Sequence, residues 1–387
     1  MESNNGESER RKNRNKKQDR KCIKVQEIIN RIKNWKGIKN KKILIPIIIS
    51  ILIIDLGLLS STIYSNYLLK QENNKEKNNE VINNEQEENK VVENKEVQIF
   101  KGDDRPIAVM IDNEKPAWPH AGLNDAYLLY EIIIEGGESR IMALFKGKNT
   151  EKIGPVRSAR HYFLDYVMEN DAQYVHFGWS PQAQSDVKTF KINNINGVTG
   201  DSKIFWREGN KNSYHNAFTS IEKILDRSEE KQYRVKSEDK GIFTYSADEI
   251  NLENGQQANE IKIKYSGLQN VTYKYNENKK VYERYMRGQE HKDRDTNEFF
   301  VAKNIVVCYI KNGLLDDPED KGRQELYNIG TGEGVFITNG KAINITWEKT
   351  SRQNKTKYYD NEGKEIILND GITWVQIVPI NNKIEIE

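Results

Sequence analysis

Ala126–Phe145 reads AYLLYEIIIEGGESRIMALF, and its pattern sets the fold of the region around it. Two apolar runs rich in strand formers, Ala126–Gly136 and Arg140–Phe145, flank the pair Gly136-Gly137. Glycine enters the left-handed conformations that tight turns need at little cost, so the stretch predicts a β-hairpin. Side chains alternate across a strand, which puts Glu131, Ile133 and Glu135 on one face and Tyr130, Ile132 and Ile134 on the other. Burial raises a carboxyl pKa unless a cation is near. Arg140, just across the turn, is the closest cation in the sequence. The purely structural expectation is a buried Glu131–Arg140 pair that fixes the hairpin.

Working outward, PIAVMID (Pro106–Asp112) and AQYVHFG (Ala172–Gly178) read as further strands. In VRSARHYFLDYVMEN, Val156, Phe163, Tyr166 and Val167 recur at helical spacing, predicting a helix from Arg157 to Glu169. Thr219 to Asp226 reads as part of a second helix capped by Thr219 or Ser220. Residues 99–240 are therefore expected to form an α+β domain. Residues 241–387 read all-β: EIKIKYS, VTYKYN, KVYERYM, KNIVVCYI, EGVFITNG, KAINITWEK, KTKYYDNEG and TWVQIVP are short strands separated by Asn, Gly and Asp turns. Asn339-Gly340 is a hairpin signal, and the regular spacing suggests a sandwich or small barrel.

The chain of 387 residues has a polar average, with 30% charged and 36% hydrophobic residues, which excludes a polytopic membrane protein. A formal net charge of +2 hides an asymmetry. Residues 1–42 hold 15 Lys and Arg against five acids, and the remainder holds 45 basic and 53 acidic residues. The sustained apolar stretch Ile43 to Tyr64 supplies 22 residues, and a helix needs about 20 to cross a hydrocarbon core. It exceeds a signal-peptide core, and neither a small-residue cleavage site nor a lipoprotein Cys follows it. Residues 43–64 are thus expected to be one N-terminal transmembrane helix, an uncleaved signal anchor. Lys36, Lys39, Lys41 and Lys42 crowd its N-terminal end, so the N-terminus is expected in the cytoplasm and the C-terminal domains outside. Asp55 lies within this span.

The basic tail, residues 1–42, contains an amphipathic segment, Val25, Ile28, Ile29, Ile32 and Trp35, suited to anionic lipid headgroups. No nucleic-acid reading motif accompanies the tail, so nucleic acid is not expected as a partner. Residues 65–98 are a Glu/Asn/Lys linker too polar to form a core. Cys22 and Cys308 would lie on opposite sides of the membrane, so no disulfide within the chain is expected, and Cys308 reads as a buried strand residue.

GPVRSAR places Arg157 and Arg160 one turn apart with Ser158 between them. At a helix start, two guanidinium groups, free N–H groups and the helix dipole would suit a carboxylate or phosphate. Arg207, His176 and Tyr214-His215-Asn216 fall in the same block, as do His120 and His161. The histidines have no tight metal-ligand spacing, and neither a nucleophile elbow, a P-loop nor a dinucleotide fingerprint occurs, so no metal or cofactor is expected. Glu131 and Glu135, four apart on a strand, have Cα atoms about 13 Å apart. A single Glu acid assisted by Arg or His is the easier arrangement for bond cleavage.

Together RPIAVMIDN, AYLLYEIIIEGGESRIMALF, GPVRSARHYFLDY, FWRE and YHNAFTS resemble the YerB-like family of bacterial envelope proteins. So do KNIVVCYI, GEGVFITNGKAINITWEK and DNEGKEIILNDGITWVQIVP. The resemblance runs from about Phe100 to Pro379 and covers an N-terminal and a C-terminal family domain of uncharacterised function. Members are commonly lipoproteins, and this chain departs in lacking the N-terminal Cys. The motif positions it implies are Asp112, Asn113, Glu131, Glu135, Gly136, Gly137, Arg140, Gly154, Pro155, Arg157, Ser158, Arg160, Arg207, His215 and Asn216, with Tyr214 where relatives tend to have Pro.

The candidate catalytic residues are accordingly Glu131, Glu135 and His215. The candidate ligand-binding residues are Asp112, Asn113, Arg140, Arg157, Ser158, Arg160, Arg207 and Asn216. The expected role is an envelope protein that binds a cell-wall polymer, an anionic peptide or another envelope protein through an Arg/Glu/His cleft, with or without bond cleavage. The alternative is a non-catalytic scaffold whose Arg and Glu residues are structural.

Overall fold

The computed structural model describes residues 96–100, 102–210 and 213–387. The basic tail, the apolar stretch 43–64 and most of the linker lie outside them. Among the described residues, no helix is long and apolar enough to cross a membrane.

The expected hairpin forms. Strand β1 (Ile107–Asp112) is followed by β2 (Leu128–Ile133) and β3 (Ser139–Phe145). β2 and β3 pair antiparallel with Ile133 opposite Ser139, and Gly136 and Gly137 take φ of 71° and 75° in the turn between them. β4 (Gln173–His176) and β5 (Asn194–Asn196) extend the array in parallel beyond β1.

In the second block β6 (Glu260–Lys264), β7 (Asn270–Asn276) and β8 (Val281–Met286) form the centre of a separate antiparallel sheet. β9 (Asn304–Leu314), β10 (Gly330–Thr338), β11 (Lys341–Lys349), β12 (Lys357–Tyr359) and β13 (Thr373–Pro379) instead join the first-block strands. The order of this mixed sheet is β12-β11-β10-β9-β13-β2-β3-β1-β4-β5. β13 is the seam, parallel to β9 on one side and to β2 on the other. The second block therefore makes no closed sandwich or barrel of its own: β9 to β13 complete a sheet begun at Ile107. Asn339 and Gly340 form the β10–β11 turn, with φ of 48° and 73°, as the Asn-Gly signal predicts.

Both faces of the large sheet are covered, which is why its central strands read as unbroken apolar runs. Ile107, Val109 and Ile111 share a core with Ile261, Ile263, Tyr273 and Tyr282 of the small sheet. Ala108 and Met110 join the opposite core with residues of α1 (Phe163–Glu169) and α2 (Pro181–Thr189). Cys308 is buried in that second core and is a free thiol.

One helix expectation needs correction, and one helix was not anticipated. The helix expected from Arg157 begins only at Phe163. Residues 156–159 run extended, because their backbone is claimed elsewhere: Val156 pairs with Ile111, Arg157 N–H donates to Met110 O at 2.9 Å, and Ala159 N–H to Gly178 O at 2.9 Å. Helix α2, whose moderate amphipathicity gave no strong period, starts at the Ser180 cap, whose hydroxyl accepts from Ala183 N–H, with Pro181 in the first turn. Helix α3 (Ile221–Glu230) has Ser220 as its cap, one of the two expected residues.

Candidate functional site

The site forms at the C-terminal end of β1, where three segments lie side by side. Asp112 ends β1, and its N–H donates to Pro155 O at 2.8 Å. Val156 N–H in turn donates to Ala217 O at 2.6 Å, bringing the 213–218 segment alongside. Gly154 permits this approach: a Cβ there would lie 2.9 Å from both Ala217 O and the Phe218 ring. Asp112, Arg157 and His215, far apart in sequence, become neighbours.

Asp112 is fully buried, and its Oδ2 lies 2.8 Å from His215 Nδ1 and 3.2 Å from Arg157 Nε. Its Oδ1 accepts from Glu114 N–H at 3.2 Å. Glu114 Oε1 stands 3.5 Å from Arg157 and 4.0 Å from Arg140. The side chains of Arg157, Glu114 and His215 are 24%, 29% and 18% exposed, so the cluster opens to solvent. Arg140, only 1% exposed, donates to Ser158 O at 2.7 Å, while its Nε has no hydrogen-bond partner.

Burial pushes Arg140 down to about 10, reinforced by the positive charge of Arg160. Hydrogen bonding to Asp112 raises His215, outweighing its partial burial. Burial alone would raise Asp112, but the His215 hydrogen bond and the charges of Arg140 and Arg157 outweigh it and lower the carboxyl.

Asp112, Glu114 and His215 offer donor atoms within 4.8 Å of one another, a spacing a metal ion could bridge. The guanidinium groups of Arg157 and Arg140 already supply positive charge beside those carboxylates. The site is better matched to an anion that adds to the arginines than to a cation that must displace them.

The other sequence-selected residues fall around this centre. Arg140 does not meet Glu131; the two project from opposite faces of the hairpin. Glu131 is fully buried against the small sheet, where Arg284 Nη2 lies 2.7 Å from its Oε2. Ser139 Oγ, at 2.6 Å, and Asn113 Nδ2, at 3.0 Å, donate to its Oε1. Glu135 is held in a two-pronged pair with Arg160. Burial would raise its carboxyl, but the Arg160 hydrogen bonds and charge hold it at about 2. Ser158 Oγ donates to Phe177 O at 3.0 Å. Arg207 donates to Ser213 O at 2.7 Å and to Asn216 Oδ1 at 2.8 Å, and Asn216 donates to Glu208 O at 2.7 Å. These two residues shape the loop that presents His215.

Sequence reasoning missed Glu114 and Arg284. Glu114 carries no signal beyond lying two residues after Asp112. Arg284 could have been found: in KVYERYM it shares a face with Tyr282 and Met286, both buried, so an inward charge was implied by the period of two.

The chain matches two family profiles, each described as a domain of a protein of unknown function, DUF3048: the N-terminal domain over residues 93–234 and the C-terminal domain over residues 261–375. It is 30% identical over 279 residues to "Putative lipoprotein YerB" of Bacillus subtilis (strain 168), covering 71% of this chain and 81% of that protein. The chain belongs to the YerB-like family. A crystal structure of the YerB protein from Bacillus subtilis superposes with a TM-score of 0.65 at 28% identity, covering 73% of this chain and 94% of the other. The YerB-like match spans both blocks, in keeping with the sheet that unites them.

Proposed function

We propose that this YerB-like chain is an extracytoplasmic, membrane-anchored protein that binds an anionic group of a cell-envelope polymer or peptide. The binding site is the cluster of Asp112, Glu114, Arg140, Arg157 and His215. The observation that carries this reading is Arg140: a buried guanidinium with an unpartnered Nε and its nearest carboxylate at 4.0 Å, beside the partly exposed Arg157. A buried N–H donor without an acceptor is costly, and a carboxylate or phosphate entering beside Arg157 would supply one. The address rests on the apolar stretch 43–64 with its lysine-rich N-terminal flank, and on the lipoprotein name of the relative. A transmembrane anchor would replace the lipid tether while leaving the domains on the same side.

Cleavage is a finer version of this reading, and it falls to His215 rather than the acids. Glu131 and Glu135 are engaged by Arg284 and Arg160, which favours a structural role for that part of the arginine–glutamate set. The test is to titrate the purified full chain with soluble peptidoglycan fragments and, separately, with polyglycerol phosphate, while following product release by chromatography. Binding to one probe that weakens at least about tenfold in Arg157→Ala, equivalent to about 1.4 kcal/mol, is expected. Equal affinity in wild type and variant, or binding to neither, refutes the assignment.

A further inference from the structure

Beneath the candidate site, on the small-sheet side, lies a buried polar chain that the proposed function does not use. Glu131 Oε2 holds Arg284 at 2.7 Å, with both side chains fully buried. Arg284 Nη1 contacts His291 Nδ1. His291 Nε2 is 2.6 Å from His120 Nδ1, and His120 Nε2 is 2.6 Å from the backbone oxygen of Asp112. The proton positions follow from chemistry. A guanidinium only donates, so His291 Nδ1 must accept. A neutral imidazole that accepts at Nδ1 carries its proton on Nε2, so His291 donates to His120 Nδ1. His120 by the same logic carries its proton on Nε2 and donates to Asp112 O. Each link has one donor and one acceptor, and the direction runs from Arg284 to Asp112 without conflict.

Both imidazoles are held neutral, in agreement with this scheme. Burial and the charge of Arg284 push His291 well down, and burial lowers His120 to about 4. The rings are also clamped sideways: Trp118 stacks on His291 at 5.3 Å with a 22° interplanar angle, and Phe300 meets it edge-on at 4.6 Å. Arg284 in turn lies over the Trp374 ring at 4.6 Å. At the far end Asn113, next to Asp112, donates to Glu131, so the chain closes on itself through the adjacent residue.

We propose that Arg284, His291 and His120 are positioning residues of the site: a one-way hydrogen-bond chain from the C-terminal block that fixes Asp112, and through it His215 and Arg157. The site then belongs to both blocks, although every residue open to solvent in it comes from the first. The proposal deepens the anion-binding reading and rests on it for its biological meaning, while its geometry is tested without any ligand.

The experiment is imidazole 1H–15N NMR on the purified, histidine-labelled full chain. His120 and His291 are both expected as Nε2–H tautomers, with a hydrogen-bonded Nδ1–H on His215. Arg284→Met should shift or abolish the His215 Nδ1–H resonance. Lys349→Met, which breaks the equally buried Glu169–Lys349 pair in the opposite core, should leave that resonance in place. An Nδ1–H tautomer at His120 or His291, or an unmoved His215 resonance in a folded Arg284→Met chain, overturns the proposal. If Arg284→Met does not fold, His291→Leu is read in the same way, and the wild-type tautomers decide should both variants fail. Failed anion titrations with the expected tautomers would remove the function and leave the positioning chain intact; the reverse pattern would do the opposite.

Discussion

Acidification from pH 7.5 to pH 5 should destabilise the fold steeply, because three histidines are buried in their neutral form. Burial holds His120 and His176 at about 4 and, with the charge of Arg284, pushes His291 well below its ordinary 6.5. A base whose folded pKa is depressed binds its proton more readily when unfolded. The stability each contributes is therefore present above about 6.5 and is lost as pH falls towards the folded value. At pH 5 each costs about 2 kcal/mol relative to pH 7.5, or about 6 kcal/mol for the three together. That is the size of a whole domain's stability.

His215 acts in the other direction: its pKa is raised, so its contribution is present below 6.5 and fades as pH rises through the folded value. Glu135 and Asp112 have lowered values, so most of their loss falls below pH 5. The assay is urea denaturation of the full chain at intervals between pH 7.5 and 5, compared with a His120→Gln, His291→Gln double variant. The variant starts less stable, but its dependence on pH should be shallower by up to two protons, about 2.7 kcal/mol per pH unit. Parallel curves for the two proteins would refute the assignment of both rings as buried and neutral.

Two further outcomes are expected. Glu131→Gln should lower stability by about 3–5 kcal/mol, read from the urea midpoint, because it leaves Arg284 buried without its countercharge; a loss under 1 kcal/mol would place that pair in contact with water. Adding Zn2+ or Mn2+ well above micromolar concentration should leave the melting temperature unchanged, since the arginines already neutralise the only acid–histidine cluster of metal-ligand spacing among the described residues. A concentration-dependent rise of several degrees would assign a cation to Asp112, Glu114 and His215 instead.

Local rules carried the strands and failed where backbone groups had distant partners. The Gly136-Gly137 and Asn339-Gly340 turns were legible because positive φ is a property of the residues themselves. The helix expected at Arg157 was not, because 156–159 bond to Met110, Ala217 and Gly178, and no window of sequence contains those carbonyls. Loss of that helix also removes the dipole expected to aid anion binding, leaving the guanidinium groups to act alone. For the site, Asp112, Arg140, Arg157 and His215 were named from the family resemblance and from residue type, whereas Glu114 was not.

The amino-acid sequence by itself determined the alternation of apolar residues, the turns, the family and the presence of inward charges, since each depends on chemistry within a few residues. Which charge meets which was decided only by the tertiary structure. Arg140 and Glu131 stand near each other along the chain yet project from opposite faces of one hairpin, and an ion pair forms by distance through space. Packing of the small sheet against β2 brings Arg284 of β8 to Glu131 from 153 residues away, while the β13 seam joins the strands of the two blocks in one sheet; these long-range contacts make the two blocks a single protein.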